Sequence, residues 1–316
     1  MSEGLATLEP TERQKLPATA QDFPVMPDGG AHRPEAVKPA AKVRIVTLIG
    51  LTGLLVLLYH HILQDLAADW YNDPDYSHGF LVPIIAGYFV WERWGQLKAL
   101  PVRPNLWGIP LLGLGLGMLL LGSIGAELFL QRSSLIVVLT GLILLMLGRA
   151  WLWTLAFPAA FLLFMVPLPA IVVNAVAFPL QLFAAEFAEL CLFNLGIPVL
   201  REGNVIGLAG TTLEVAEACS GIRSLQALLA LGTIFAYFSQ REMWKRWVLV
   251  LLSIPIAIAA NAFRVAGTGI LAQYFGAKAA EGFYHTFSGM SVFVTAFVLL
   301  LACGTALSKL RFPARR

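Results

Sequence analysis

The chain has 316 residues, 58% of them hydrophobic and 13% charged, with a formal net charge of +3 and a mean hydropathy of +0.75. A soluble domain carries about 45–50% apolar and about 25% charged residues, so a water-soluble globule is excluded, and the small positive charge does not indicate a nucleic-acid partner. Cys191, Cys219 and Cys303 form no CxxC pair or zinc spacing, which argues against a disulfide framework and against a structural zinc.

Residues 1–41 are rich in Pro, Glu, Ala, Thr and Gln and hold no apolar stretch, the composition of a disordered tail. No apolar core of a cleavable signal peptide appears near the start, and the first apolar run, Ile45 to Leu63, reads as an uncleaved first helix. A bilayer core about 30 Å thick takes about 20 apolar residues as helix. Eight spans are expected, at 43–63, 79–95, 107–125, 134–149, 151–173, 220–239, 247–271 and 286–307; the second and fourth are short, and Pro83 interrupts the second. Residues 174–196 place Gln181, Glu186, Glu189 and Asn194 among Phe and Leu, an amphipathic pattern expected to lie along the outer interface. Residues 198–218 alternate and contain Gly203, Gly207 and Gly210, which suits short strands or a folded loop. The fold class is an all-α polytopic membrane protein with that interfacial helix and strand insert, followed by a basic cytoplasmic tail, 309–316.

Orientation follows from Lys and Arg, which stay cytoplasmic. One set of loops holds 14 of them, from Lys38 through Arg93, Arg149 and Arg246 to Arg316. The opposite set holds 3: Arg132, Arg201 and Lys278. The first outer loop is acidic, with Asp65, Asp69, Asp73 and Asp75. Both termini are expected in the cytoplasm.

Ionisable residues within membrane spans are costly enough to suggest function. With this topology Cys219 lies at the outer end of span six. Arg264 follows Trp247 by seventeen residues, roughly 26 Å of helix, which also brings it near the outer face. His285 precedes the last span, and Ser77-His78-Gly79 precedes the second. The reactive groups thus share one depth on one side. A helix N-terminus and a nearby cation lower a thiol toward thiolate; Cys219 has the first by position, and Arg223 stands four residues on. His285 is suited to take the thiol proton and return it to a leaving amine. Arg264 is a permanent fork of donors for an oxyanion or a substrate carbonyl. Backbone N–H groups after Cys219, which Gly221 lets a substrate approach, are further donors. The roles of Arg264 and His285 are interchangeable at this level.

Each residue also has a plainer reading. Cys191 and Cys303 read as packing residues. Arg264 is also placed to snorkel to outer headgroups, and His285 to serve as an interfacial histidine. His60 and His61 read as interface anchors ending span one. His78 either binds or orients substrate or caps span two. Trp91, Trp94, Trp151 and Trp153 read as an aromatic belt.

The run EVAEACSGIRSL, the later NAFRVAGTG, the His at the mouth of the last span and DPDYSHGFLVP before span two together resemble the exosortases, in particular the exosortase A type of Gram-negative bacteria, over about 60–307. The resemblance implies an exosortase-like membrane domain at 42–308 in the inner membrane, with its active site at the periplasmic face. The implied enzyme is a cysteine transpeptidase or protease acting on exported proteins that end in a PEP-CTERM tag: a Pro-Glu-Pro motif, one transmembrane helix and a basic cluster. It further implies Cys219 as nucleophile, with Arg264 and His285 completing the catalytic set. Ser220, Gly221, Arg223, His78 and Asn261 are the candidates for substrate binding or support. A link to exopolysaccharide and biofilm assembly proteins is also implied, and no cofactor or metal. Arg223 and Arg201 are the cations available to meet the tag's glutamate. A competing reading is a transporter or scaffold for exopolysaccharide export, but its charges would be expected at the midplane. A metalloprotease using His78, Cys219 and His285 lacks a paired-ligand helix such as HExxH. A serine protease at Ser220 or Ser288 lacks a nucleophile turn.

Overall fold

The structure is a computed structural model that describes residues 41–209, 211–215, 222–276 and 283–310. The chain divides into two units, up to Leu54 and from Leu55 onward. Of the first, the opening of helix α1 is described, with Val46 and Ile49 exposed.

The helices are α1 (Ala41–Asn72), α2 (Leu81–Glu92), α3 (Trp94–Ala99), α4 (Gly108–Ile124), α5 (Leu128–Met146), α6 (Arg149–Phe161), α7 (Ala170–Asn194), α8 (Ile222–Ser239), α9 (Met243–Phe275) and α10 (Phe283–Lys309). Short 3-10 turns, Ser77–Phe80 and Leu162–Met165, precede α2 and follow α6. Among the described residues five segments are long and apolar enough to cross a membrane: Ile49–Asn72, Leu128–Met146, Ala170–Asn194, Met243–Phe275 and Gly289–Lys309. Large exposed side chains such as Leu57, Ile84, Leu121 and Leu251 are what a lipid-facing surface requires. The all-α membrane architecture with a small strand insert is therefore as expected.

Element limits differ from the sequence reading at four places. α1 runs nine residues beyond the expected end of span one. His60 and His61 therefore lie within the helix rather than at its end, their rings 3.8 Å apart. The expected span 79–95 is a helix of 12 residues opened by a 3-10 turn, with Pro83 in its first turn, where the missing N–H costs nothing. α5 starts at Leu128, six residues before the expected span. The expected span 151–173 breaks before Ala170, because Val166 and Pro169 are extended. A residue preceding proline is driven out of the α region, and Pro167 and Pro169 enforce that here.

α4 and α5 form the tightest pair. Gly108, Gly115 and Gly122 recur every seven residues and are buried. A Cβ at these positions would lie 2.5 Å from Leu145 N, 2.6 Å from Val138 Cγ2 and 2.7 Å from Gln131 N. One face of α4 thus meets α5 backbone to backbone, the way helices associate where lipid offers no hydrophobic drive. α5 is tied to α1 by two polar contacts. Arg132, buried, pairs with Asp69 at 2.6 Å, and Tyr59 Oη lies 2.9 Å from Ser134 Oγ. The Trp70 indole donates to the Met165 carbonyl at 2.9 Å.

Candidate active site

Of the candidate residues, Arg223 falls on α8, Asn261 and Arg264 on α9 and His285 on α10, so a site built from them depends on how those three helices are registered. Gly232 of α8 contacts Ser253 of α9 and Leu300 of α10: a Cβ there would be 3.4 Å from Ser253 Cβ and 3.2 Å from Leu300 Cδ2. Gly304 of α10 meets Phe235 of α8 and Leu249 of α9. Lys245 Nζ, on α9, donates to the Leu310 carbonyl just past α10 at 2.8 Å. As residue numbers rise along α8 and α10 together, they fall along α9, so α8 and α10 are parallel and α9 is antiparallel to both. Extending the register brings Ile222, the first residue of α8, level with Phe263 of α9 and Met290 of α10.

At that level lies Arg264. Its Nη1 is 3.6 Å from where a Cβ on Gly289 would stand, so the guanidinium reaches the face of α10 that Gly289 leaves open. His285 stands four residues earlier in α10. Asn261, one turn before Arg264 in α9, is buried. Arg223 is the second residue of α8. Cys219, Ser220 and Gly221 lie outside the described residues, and Ile222 is the next in the chain.

The Ser77-His78-Gly79 segment joins the same end of the bundle. Gly79 is buried against the ring of Trp70, where a Cβ would overlap the indole. This packing fixes the 3-10 turn and with it His78. His78 does not cap α2; Phe80 holds that position without any side-chain bond. Instead His78 lines a pocket of about 300 Å³ with Tyr76, Leu163, Phe164, Leu168 and Gln226 of α8. Burial lowers the affinity of His78 for a proton below the ordinary histidine value of 6.5, and hydrogen bonds with the backbone of Phe164 and Asp75 partly offset this. Gln226 escaped the sequence reading. Its signal was available, since it is a polar residue in an apolar helix, seven residues after Cys219 in the sequence.

α7 completes this end. It is long and apolar enough to cross a membrane, but both its ends are tied to the same end of the bundle. Leu168, two residues before it, lines the His78 pocket. Near its other end Leu192 contacts Gly269, and Phe187 packs edge-on against Phe263 with ring centroids 4.9 Å apart. Its polar residues are accommodated: Gln181 is buried, and Glu189 pairs with Arg201 at 2.7 Å. That pair engages Arg201, one of the two cations assigned to a substrate glutamate. The strands expected within 198–218 form an antiparallel meander, β1 (Val199–Glu202), β2 (Val205–Leu208) and β3 (Thr211–Glu214). Gly203 turns β1 into β2 with φ at 65°, a conformation open to glycine. Ile206 is wholly buried between the meander and the α7–α9 face. Cys191 packs in that same core, and Cys303 packs among α8, α9 and α10.

No curated protein and no solved structure matches the chain. The model of a protein family described as transmembrane exosortase matches residues 70–302, a stretch running from the His78 segment through the meander and α8 to α10. On that match over most of its length, the chain belongs to the transmembrane exosortase family.

Proposed function

We propose that this exosortase is a cysteine transpeptidase or protease that removes the C-terminal PEP-CTERM tag of exported proteins. It acts from the bacterial inner membrane with both termini cytoplasmic and its site at the periplasmic face. The observation that carries this reading is the approach of Arg264 Nη1 to Gly289, at the level where α8 begins. In the sequence Cys219 stands three residues before α8, Arg264 lies in α9 and His285 in α10, which supports the reading.

In the proposed reaction the Cys219 thiolate adds to the scissile carbonyl carbon. The oxyanion that develops is met by Arg264 and by N–H groups at the start of α8; such donors contribute about 10²–10³ in rate each. His285, holding the thiol proton, delivers it to the departing amine as the C–N bond breaks, leaving a thioester on Cys219. An acceptor amine, hydroxyl or water then attacks that thioester, loses its proton to His285 and restores the thiol. Asn261 and His78 support the walls, Ser220 and Gly221 shape the approach, and Arg223 meets the tag's glutamate. The released proteins serve exopolysaccharide and biofilm assembly.

Co-expression with a protein bearing such a tag tests the reading. The wild-type chain shortens the substrate, Cys219→Ala leaves it full length, and hydroxylamine releases a covalent adduct present in wild type and missing in Cys219→Ser. Normal processing by Cys219→Ala refutes the proposal and favours a non-covalent transport or scaffold role.

A further inference from the structure

The opposite end of the same helices carries a second polar pocket that the proposed chemistry does not use. It has a volume of about 390 Å³ and is lined by Glu92, Arg93, Gln96, Trp153, Thr154, Tyr237 and Arg246. α2, α3, α6, α8 and α9 all contribute to it. The two guanidiniums flank one ring: Arg93 and Arg246 each lie 5.2 Å from the centroid of Tyr237. Phe157 stacks on Tyr237 at 4.7 Å with 12° between the planes, which fixes the ring and with it the spacing of the cations.

The local hydrogen bonds hold this arrangement without neutralising it. Arg93 donates from Nε to Tyr237 Oη at 3.2 Å and from Nη1 to the Thr154 carbonyl. Arg246 donates from Nε to the Gln240 carbonyl at 2.9 Å. Glu92 accepts from Tyr237 Oη at 2.8 Å. Among the described residues neither arginine forms an ion pair. Two half-buried cations therefore face one exposed carboxylate, leaving an excess of positive charge in a mostly polar pocket. A tetrahedral anion with several acceptor oxygens satisfies two such forks at once.

The depth of the pocket identifies the source of that anion. Trp91, Trp153 and Trp247 around it are 69%, 67% and 62% exposed, and exposed tryptophans gather at the level of lipid headgroups. The surrounding loops are those that carry most of the chain's Lys and Arg, a pattern that draws acidic lipid. We propose that the Arg93–Arg246 pocket binds a phosphate group, presented by an anionic phospholipid of the adjoining leaflet.

Thermal unfolding of the purified full chain in detergent tests this, with dioleoylphosphatidylglycerol, dioleoylphosphatidylcholine or sodium phosphate added at matched concentration. The phosphatidylglycerol arm is expected to raise Tm by about 3 °C or more over the phosphatidylcholine arm, since a ligand that binds only the folded state stabilises it. Arg246→Gln loses that difference. Glu92→Gln, which removes the carboxylate, reaches the full shift at lower lipid concentration. A full shift with sodium phosphate alone supports the phosphate site and assigns it to the free anion instead. Equal Tm in both lipids, an undiminished difference in Arg246→Gln, or an unchanged lipid titration in Glu92→Gln overturns the proposal. The last of these decides the matter even where Arg246→Gln does not fold.

Discussion

The two ends of the α8–α9–α10 bundle hold polar residues for different reasons. At the Lys245 end the polar groups serve chain termini. Lys245 bonds Glu242 and the Leu310 carbonyl, Gln240 bonds the Gly304 carbonyl, and Arg246 bonds the Gln240 carbonyl. Backbone carbonyls at helix ends require such partners, so stability explains Lys245 and Gln240, and for Arg246 it explains the bond made by Nε but not the rest of the guanidinium. At the other end Asn261 and Arg264 lie inside α9, eleven or more residues before it ends at Phe275. They lie within the helix and not at its terminus, where a charge inside a membrane span is costly enough to suggest function. On the proposed function, the difference separates polar residues that complete the fold from those proposed for chemistry.

The comparison is sharpest at Arg264. Arg264→Gln is expected to reduce tag processing by about 10²–10³, with thermal stability in detergent held near that of wild type. A large fall in Tm with proportionate loss of activity would instead make Arg264 structural, like the polar groups at the far end. The glycine seam supplies the contrary case, stability without chemistry. Gly115→Leu forces side-chain atoms into Val138 and the α5 backbone, and overpacking of this kind costs about 1–3 kcal/mol or more. Lower yield and Tm are expected, with normal activity in the molecules that fold. Asp69→Asn removes the partner of a buried guanidinium and is expected to cost about 2 kcal/mol, below the range for fully buried pairs because Asp69 is partly exposed. Unfolding by heat or denaturant reads this directly.

The smallest effect concerns His78. Its folded proton affinity is lowered by burial, so the unfolded chain binds the proton more tightly. The associated stability is complete above the ordinary histidine value of 6.5 and falls as the pH drops through the lower folded value. Tm measured from pH 7.5 down to pH 5 is expected to decline less steeply in His78→Gln than in wild type. Parallel profiles would show that His78 is not buried in this way.

Much of this was legible in sequence because membrane folding leaves a coarse signature. The apolar runs of α9 and α10 were located to within a few residues, and helix rise alone carried Arg264 into the second half of α9. Other features needed three dimensions. The seven-residue spacing of Gly108, Gly115 and Gly122 is visible in the chain, but its partner face on α5 is not. Pro167 and Pro169 announce a break that the surrounding hydrophobicity conceals. Arg201 looked available because Glu189, twelve residues earlier, reaches it only when the meander folds back on α7. The Arg93 pocket draws on five helices, and no local pattern reveals such a convergence. The residues assigned as nucleophile and oxyanion approach, 219–221, fall outside the described part, so their roles rest on the chemistry of the segment and on its neighbours.

The order of synthesis gives the glycine seam a consequence for biogenesis. α4 and α5 are joined by a short turn and meet at every heptad, so this hairpin can close as soon as both segments leave the ribosome. The approach of Arg264 to Gly289 is different, because it awaits α10, which is translated long after that hairpin. A nascent chain therefore inserts and packs its first half without the α10 face that Arg264 reaches, and the proposed enzyme gains its reactivity only once α10 is in place.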